Sequence, residues 1–361
     1  MPEPLFIYLD QEPKLDYKYH FNHNVLVRLY DQIVWYLKDE SFIKRLNYNI
    51  KVQPGENIPD NEDELYEWLV KNGYQDELDI YTSRHLFLGL LSEICHFLYQ
   101  SLASCKDMKI TVALSLLRKP FLECLIILEQ LLVNEKEFLQ KFEKDPTEFD
   151  PGAIKKDKKL DLIKRVYSEI DQIQFMDYQT NYDWRYNPSY SEGIYAVSNL
   201  ATHLVTTRHQ SFKTVKQNLN LVFSNEDDFE VQLSYYYNLV PGFMIYLLDV
   251  IDSYTLKKKL IKRYEYKSRR FYRLIATLTV TDSLSEKPLK GKGILNSLAR
   301  KIKVKCQNCN KNNQFYRSDF HYLIHDEELM CKHCLRDLIY ESDTMKPVIN
   351  GLVNLPKHKK I

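Results

Sequence analysis

Hydrophobic positions along this chain recur at helical rather than strand spacing almost throughout. The longest strongly apolar run is ITVALSLLRKPFLECLIILEQLLVNEKEFLQKF, residues 110–142, and it predicts a core helix. At about 100° per residue, Ser115, Arg118, Lys119, Glu123, Glu129 and Gln130 fall within roughly 140° of arc and leave the other side to Leu, Ile, Phe and Cys. Pro120 must kink this helix or mark its true start, because proline lacks the amide hydrogen and disfavours helical geometry at Lys119. The run does not read as a membrane span. Arg118, Lys119, Pro120 and Glu123 interrupt it before the ~18–20 continuous apolar residues that a bilayer requires.

The same periodicity predicts helices elsewhere. After an irregular lead-in over 1–21, Val25, Leu29, Ile33, Tyr36 and Leu37 share one side of a helix over 24–45. Pro54, Gly55 and Pro59 make 46–61 a loop, and DNEDELYEWLVKNG follows as a short helix with Gly73 as its C-terminal cap. Over 83–104, His85, Gly89, Ser92, Glu93, His96 and Gln100 cluster within roughly 100° of arc, facing a leucine-rich side. This stripe is poor in Lys and Glu, so it is expected to press on the Arg118/Glu123 side of the next helix. The segment 157–175 returns to helix, 176–193 (MDYQTNYDWRYNPSYSEG) reads as an aromatic loop, and 191–210 is helical again. VKQNLNLVF reads as a short strand or extended connection. Ser224 or Asn225 opens a helix through 226–256 that Pro241 and Gly242 bend. SEKPLKGKG then serves as a linker. The predicted architecture is therefore mainly α: a multi-helix bundle over 1–280, a linker over 281–295, and a small C-terminal module with its tail over 296–361.

Composition agrees with this picture. Nine glycines in 361 residues is far below the usual ~7%, and 27 Tyr with 17 Phe point to bulky aromatic packing. The N-terminus MPEPLFIYLDQEPK has no basic start followed by an apolar core, so a cytoplasmic location is expected. Net charge is +1, but it is segregated. Residues 1–255 carry 26 Lys and Arg against 39 Asp and Glu (26 − 39 = −13), residues 256–305 carry 16 against 3 (+13), and the remainder 8 against 7 (+1). Such segregation points either to an acidic partner, nucleic acid or protein, or to docking of the basic segment on the chain's own acidic surface.

The sharpest chemical signal is KCQNC with MCKHC, Cys306, Cys309, Cys331 and Cys334. Two Cys-x2-Cys knuckles 21 residues apart can supply four thiolates, and tetrahedral zinc suits such a set, with Zn–S near 2.3 Å. In this pattern residues 302–340 resemble a zinc ribbon, with the stretch between the knuckles expected as a hairpin. Four protein ligands leave no open position, so the zinc is expected to be structural. Lys305, Lys311 and Lys332 are placed to offset the charge, and His321, His325 and His333 lie close enough to substitute for a Cys. Cys95, Cys105 and Cys124 stand singly in apolar stretches and read as reduced core residues.

The basic stretch KKKLIKRYEYKSRRFYR supplies Lys257, Lys258, Lys259, Lys262, Arg263, Lys267, Arg269, Arg270 and Arg273, interleaved with Tyr and Phe. It reads either as phosphate contacts with stacking faces or as a solvated helix with its aromatics turned inward. A further set of ionisable residues, His85, His96, Arg118, Glu123, His203 and Arg208, lies on helices of the bundle. It reads as an internally satisfied polar seam or as a site in which His acts as acid or base and Arg holds phosphate. Long helices with inward His and Arg resemble the HEPN-type bundles of prokaryotic abortive-infection and toxin proteins, which implies metal-independent ribonuclease activity and a defence role. That family places Arg four to six residues before His on one helix; here the nearest pair, Arg317 and His321, falls in the ribbon. The chain thus predicts a zinc-containing helical protein that binds DNA, RNA or an acidic protein partner through its basic segment and ribbon. A homodimer is compatible with it, and no residues specify a reaction.

Overall fold

The segment that the fold buries most completely is not 110–142 but 239–255. The computed structural model describes residues 4–8, 10–145, 147, 152–170, 176–283 and 294–338. In chain order its helices are α1 (His20–Lys38), α2 (Glu40–Leu46), α3 (Glu62–Lys71), α4 (Gln75–Lys106), α5 (Ile110–Leu116), α6 (Leu125–Lys144) and α7 (Lys156–Glu169). They continue with α8 (Tyr178–Tyr186), α9 (Ile194–Thr202), α10 (Glu226–Lys257), α11 (Arg263–Ser283), α12 (Ile294–Lys301) and α13 (Arg317–Asp326). Among the described residues the one sheet pairs β1 (Lys303–Lys305) with β2 (Asn312–Gln314), antiparallel. The protein is mainly α, as the periodicity predicts.

Every residue from 239 to 255 is buried, and α10 runs without a break through Pro241, packed against α1, α5, α6 and α11. Its start is fixed locally. The Asn225 side chain accepts from the Asp228 amide at 2.9 Å while Asp228 accepts from the Asn225 amide at 2.9 Å, a reciprocal cap with three acids in the first turn. By length and composition α4 and α10 are each apolar enough to cross a bilayer, but the apolar window of α10 is 94% enclosed by the protein itself, the position of a core helix.

The predicted central helix is divided. α5 ends at Leu116, a π-turn occupies Lys119–Cys124, and α6 begins at Leu125. Proline explains the division, since Pro120 donates no amide and the widened turn instead pairs the Leu125 amide with Pro120 O. The carbonyls just beyond are taken up from outside: Arg185 Nε donates to Phe121 O at 2.9 Å and the Tyr186 hydroxyl to Leu122 O at 3.1 Å.

Other predicted boundaries shift for local reasons. The helix expected over 24–45 breaks at Asp39 (ψ 111°), whose carboxylate caps α2 by accepting from the Phe42 amide at 2.7 Å. Gly73, at φ +85°, ends α3 as predicted, and α4 starts at Gln75 with Asp76 and Glu77 in its first turn, well before 83. The supposed aromatic loop holds α8, capped by Asp177. The helix expected to reach 210 stops at Thr202, and 215–223 forms turns rather than a strand. There Thr206, Thr214 and Asn220 bond to the backbone and compete with helix. Of the expected linker, 284–293 lies outside the described residues, as does the tail beyond 338.

Burial draws ionisable groups into the core, and each is answered. Glu129, placed on the polar arc by sequence, is fully buried and meets fully buried Arg185: Nη1 is 2.5 Å from Oε1 and Nη2 3.2 Å from Oε2. Tyr246 of α10 donates to the same carboxylate at 2.6 Å. Burial opposes the charge on Arg185, but the adjacent Glu129 outweighs it and holds its pKa above the ordinary value. Across α10, Arg273 of α11 donates to Asp249 Oδ1 from Nε at 2.9 Å and Nη2 at 2.6 Å, and to Asp252 Oδ2 from Nη1 at 2.6 Å. Arg269 Nε reaches Asp252 Oδ1 at 3.1 Å, and Tyr36 of α1 also donates to it. Desolvation pushes both carboxyls up. Two guanidiniums and the Tyr36 hydroxyl leave Asp252 lowered, whereas Asp249 ends raised.

His23 of α1 is likewise buried, with Nε2 donating to Leu5 O at 3.0 Å and Nδ1 accepting from Tyr237 OH at 3.0 Å. Desolvation holds its pKa down at about 4. Because the folded chain then binds fewer protons than the unfolded one between about 6.5 and 4, its contribution is complete above that window and falls as pH drops through it.

Two outcomes are expected. Arg185→Ala strands Glu129 and should lower unfolding free energy by roughly 3–5 kcal/mol, while His85→Ala on the exposed face of α4 stays within about 0.5 kcal/mol; equal effects in urea titrations would refute the assignment. Wild type should lose about 2 kcal/mol through His23 between pH 7 and pH 5, and His23→Gln should flatten that slope. An unchanged slope would show that His23 is not the titrating group.

Candidate metal centre

The hairpin turn between β1 and β2 carries Cys306 and Cys309, and the turn after α13, closed by the Met330–Asp337 bridge, carries Cys331 and Cys334. The two knuckles are built alike. The Cys306 amide donates to Lys311 O at 3.0 Å and the Asn310 amide to Cys306 O at 2.9 Å; Cys331 donates to Arg336 O at 2.8 Å and Leu335 to Cys331 O at 2.9 Å. Asn310 and Leu335 hold the same place in each turn and share a left-handed backbone, φ +58° and +59°. For an exposed Leu this costs roughly 1–2 kcal/mol. The turn aims backbone amides at the sulfurs: Lys311 at Cys309, His333 and Cys334 at Cys331, and Arg336 at Cys334, where Asn308 Nδ2 also donates at 3.5 Å.

All four Sγ atoms lie within 4.8 Å of one another. Cys306 Sγ is 3.7 Å from Cys334 Sγ, and Cys309 Sγ is 3.7 Å from Cys331 Sγ. A tetrahedral ion at about 2.3 Å from each sulfur sets them about 3.8 Å apart; a disulfide would require about 2.05 Å. The cluster therefore has the dimensions of a four-thiolate metal site. Burial disfavours the Cys331 thiolate, yet the amides outweigh burial and hold its pKa down at about 6. At Cys309 the Lys311 amide favours ionisation, but burial and the other three sulfurs push the thiol up to about 11. Ionising all four sulfurs at this spacing calls for a cation among them.

The histidines near the knuckles bond elsewhere. His325 pairs with Asn24 and Asp326, His333 Nε2 lies 3.2 Å from Asn312 O, and the His321 ring packs 4.8 Å from Phe21. Lys332 is held by Asp319 at 2.7 Å and lies over the Tyr316 ring. Between the knuckles the chain forms α13 rather than the expected hairpin. It turns Phe320, Leu323 and Ile324 into the interior and packs on α1 and α11. The attachment centres on α1. The Asn24 amide accepts from Ile7 N and donates to Ile7 O, both 2.8 Å, and lies 2.9 Å from His325 Nε2; Arg28 donates to His325 O at 2.9 and 3.2 Å and reaches Glu327 at 3.1 Å.

The basic stretch is largely absorbed by the protein. Lys257 donates to Leu132 O and faces Glu169, Lys258 pairs with Glu135, and Arg269 and Arg273 hold Asp252 and Asp249. Arg270 is buried beside Tyr266 and Lys267 is half-buried. Lys259, in a left-handed turn, Lys262 and Arg263 stay exposed. In the body, Arg118 Nε lies 3.4 Å from Glu123, which also pairs with Lys119, and Glu93 of α4 acts electrostatically on Lys119 and Cys124. α4 packs on α5 and on the π-turn, but Gly89 and Gln100 of its stripe stay exposed. His85 stacks on Tyr81, and His85, His96, His203 and Arg208 are exposed.

Comparison with known proteins matched no family model, no curated protein and no solved structure. The likeness to HEPN-type bundles gains no support from it, and the four-sulfur cluster is the chemistry the chain itself displays.

Asn24→Ala removes the bonds that tie the lead-in and α13 to α1, and should cost about 2–3 kcal/mol. Hydrogen exchange of the α13 amides should quicken while that of α10 does not. Unchanged exchange over 317–326 would mean that Asn24 is not the tie.

Proposed function

We propose that this chain is a structural-zinc protein whose ribbon contacts nucleic acid, with the helical body as its rigid frame. The 3.7 Å sulfur separations carry the zinc assignment, because thiolate ligands in tetrahedral array suit that ion. All four coordination positions would be filled by protein, so the metal would hold the fold of the ribbon and not act on a substrate. The apolar side chains buried between 302 and 338 join the core of the body, and zinc would fix the two knuckles to each other on that mount. Seven cysteines, none of them in a disulfide, suit a reducing, cytoplasmic setting.

The contact surface supported best is the hairpin, not the helix that follows α10. Lys303 and Lys305 flank buried Val304 and so share the open face, in register with Gln314 and Asn312. Arg300 and Lys311 are exposed beside them, and none of these four cations has an ion pair among the described residues. Cations reach phosphates, while the Asn and Gln amides and exposed Tyr316 and Tyr322 offer base-edge and stacking contacts.

Native mass spectrometry should find one zinc per chain. Anisotropy titrations with single-stranded RNA, single-stranded DNA and duplex should give affinities that fall linearly on a log–log salt plot. Replacing Lys303, Lys305 and Lys311 by Ala should reduce the slope by about 3, and Lys257→Ala should leave it alone. Binding that ignores salt, or a slope untouched by the triple variant, would exclude the hairpin as the contact.

A further inference from the structure

Residues 193–225 contain no Asp or Glu, yet carry Arg208, Lys213 and Lys216, inside a body of net −13. These three cations are exposed and form no ion pair among the described residues. Exposed apolar side chains concentrate in the same stretch: Leu204, Val205, Val215, Val222 and Phe223 each leave 49–68% of their surface open. They do not ride on loose chain. Thr206 Oγ1 donates to Phe212 O at 2.6 Å, Thr214 Oγ1 to Asn220 Oδ1 at 2.7 Å, and Asn220 Nδ2 to His203 O at 2.7 Å, a polar hub with Thr206 and Asn220 buried. Gln217 and Leu221 are held in left-handed backbone, φ +59° and +54°. Each costs roughly 1–2 kcal/mol, so the loop is a maintained shape that displays aliphatic surface to solvent.

A second surface complements it. Residues 56–79 hold nine Asp and Glu against Lys71 alone (1 − 9 = −8). Asp60, Glu64, Glu67 and Asp76 are exposed there, and so are the apolar residues Ile58, Tyr66, Val70 and, at the start of α4, Tyr81. One patch is apolar with cations, the other apolar with carboxylates, and both are exposed among the described residues. We propose that the two meet between copies of this protein, the loop 203–223 of one chain docking on the α3 edge of the next. Nucleic acid suits the loop poorly, since aliphatic side chains gain nothing from phosphate. An anionic membrane would use the loop but leave the acidic patch without a role. The contact joins unlike surfaces, so it is head-to-tail and its strength falls with salt.

The test is sedimentation velocity on nuclease-treated, full-length protein from about 1 to about 100 µM, a range that brackets micromolar association. Wild type should gain mass with concentration, less so at high salt. Lys213→Glu with Lys216→Glu, and separately Glu64→Lys with Glu67→Lys, should each weaken association about tenfold or more. An equimolar mixture of the two variants should recover it, because each then presents the surface the other needs. All four positions are exposed, so melting temperatures should match wild type. Wild type that stays monomeric, variants that associate as wild type does, or a mixture that stays monomeric would overturn the proposal. So would monomeric protein that co-sediments with phosphatidylserine vesicles in a loop-dependent way, which would make the surface a membrane contact.

Discussion

Two carboxylates in the most deeply buried helix set the terms for the rest of the chain. Asp249 and Asp252 lie where α10 is enclosed on every side, and a bare carboxylate there is costly enough that the fold must bring positive charge to it. It does so with Arg273 and Arg269, which draws the basic segment inward as α11 and lays it along α1 and α10. The Arg269 guanidinium also stacks on Trp35 and Tyr36, 4.7 and 4.5 Å from their ring centres. Three cations of the basic segment, Arg269, Arg270 and Arg273, therefore belong to the core and not to a solvated face.

Placement of α11 in turn determines where the metal site stands. α12 packs back on α11, and α13 lies against both α1 and α11, with the Tyr272 hydroxyl donating to Ile324 O at 3.1 Å. The lead-in strap adds Phe6, whose ring sits 5.0 Å from His325 and under Arg28. Buried Cys306 and Cys331 belong to the same continuous apolar cluster as Leu26 and Ile275. This mount holds the knuckles against the body and leaves Lys303 and Lys305 of the hairpin exposed.

Local signals in the sequence were legible. The Cys-x2-Cys spacing places four sulfurs correctly, Asn225 and Asp228 mark the start of α10, and Gly73 ends α3 because only a left-handed residue fits there. What periodicity cannot supply is the partner. Glu129 lies on a polar arc and looks solvated until Arg185 arrives from a segment that itself reads as loop. Arg273 looks like one more surface cation in a basic run until α10 places two acids beside it. Pro120 announced a disturbance but not its form, since a π-turn persists only where outside donors such as Arg185 and Tyr186 take up the carbonyls. The interval between the knuckles is rich in aromatic residues, but the Tyr316/Asp319 cap and the apolar spacing of Phe320, Leu323 and Ile324 make it helical.

A double-mutant cycle joining Arg273→Met and Asp249→Leu, read by urea unfolding, tests most directly whether buried charge pairing organises this fold. Arg273→Met leaves Asp249 without its guanidinium and should lose roughly 3–5 kcal/mol, Asp249→Leu leaves Arg273 on Asp252 alone and should lose less, and the double variant removes both charges and should recover much of the loss. The coupling energy should therefore exceed about 1.5 kcal/mol. A coupling near zero, with single variants as stable as wild type, would contradict the account, because Arg273 would then be one surface cation among many.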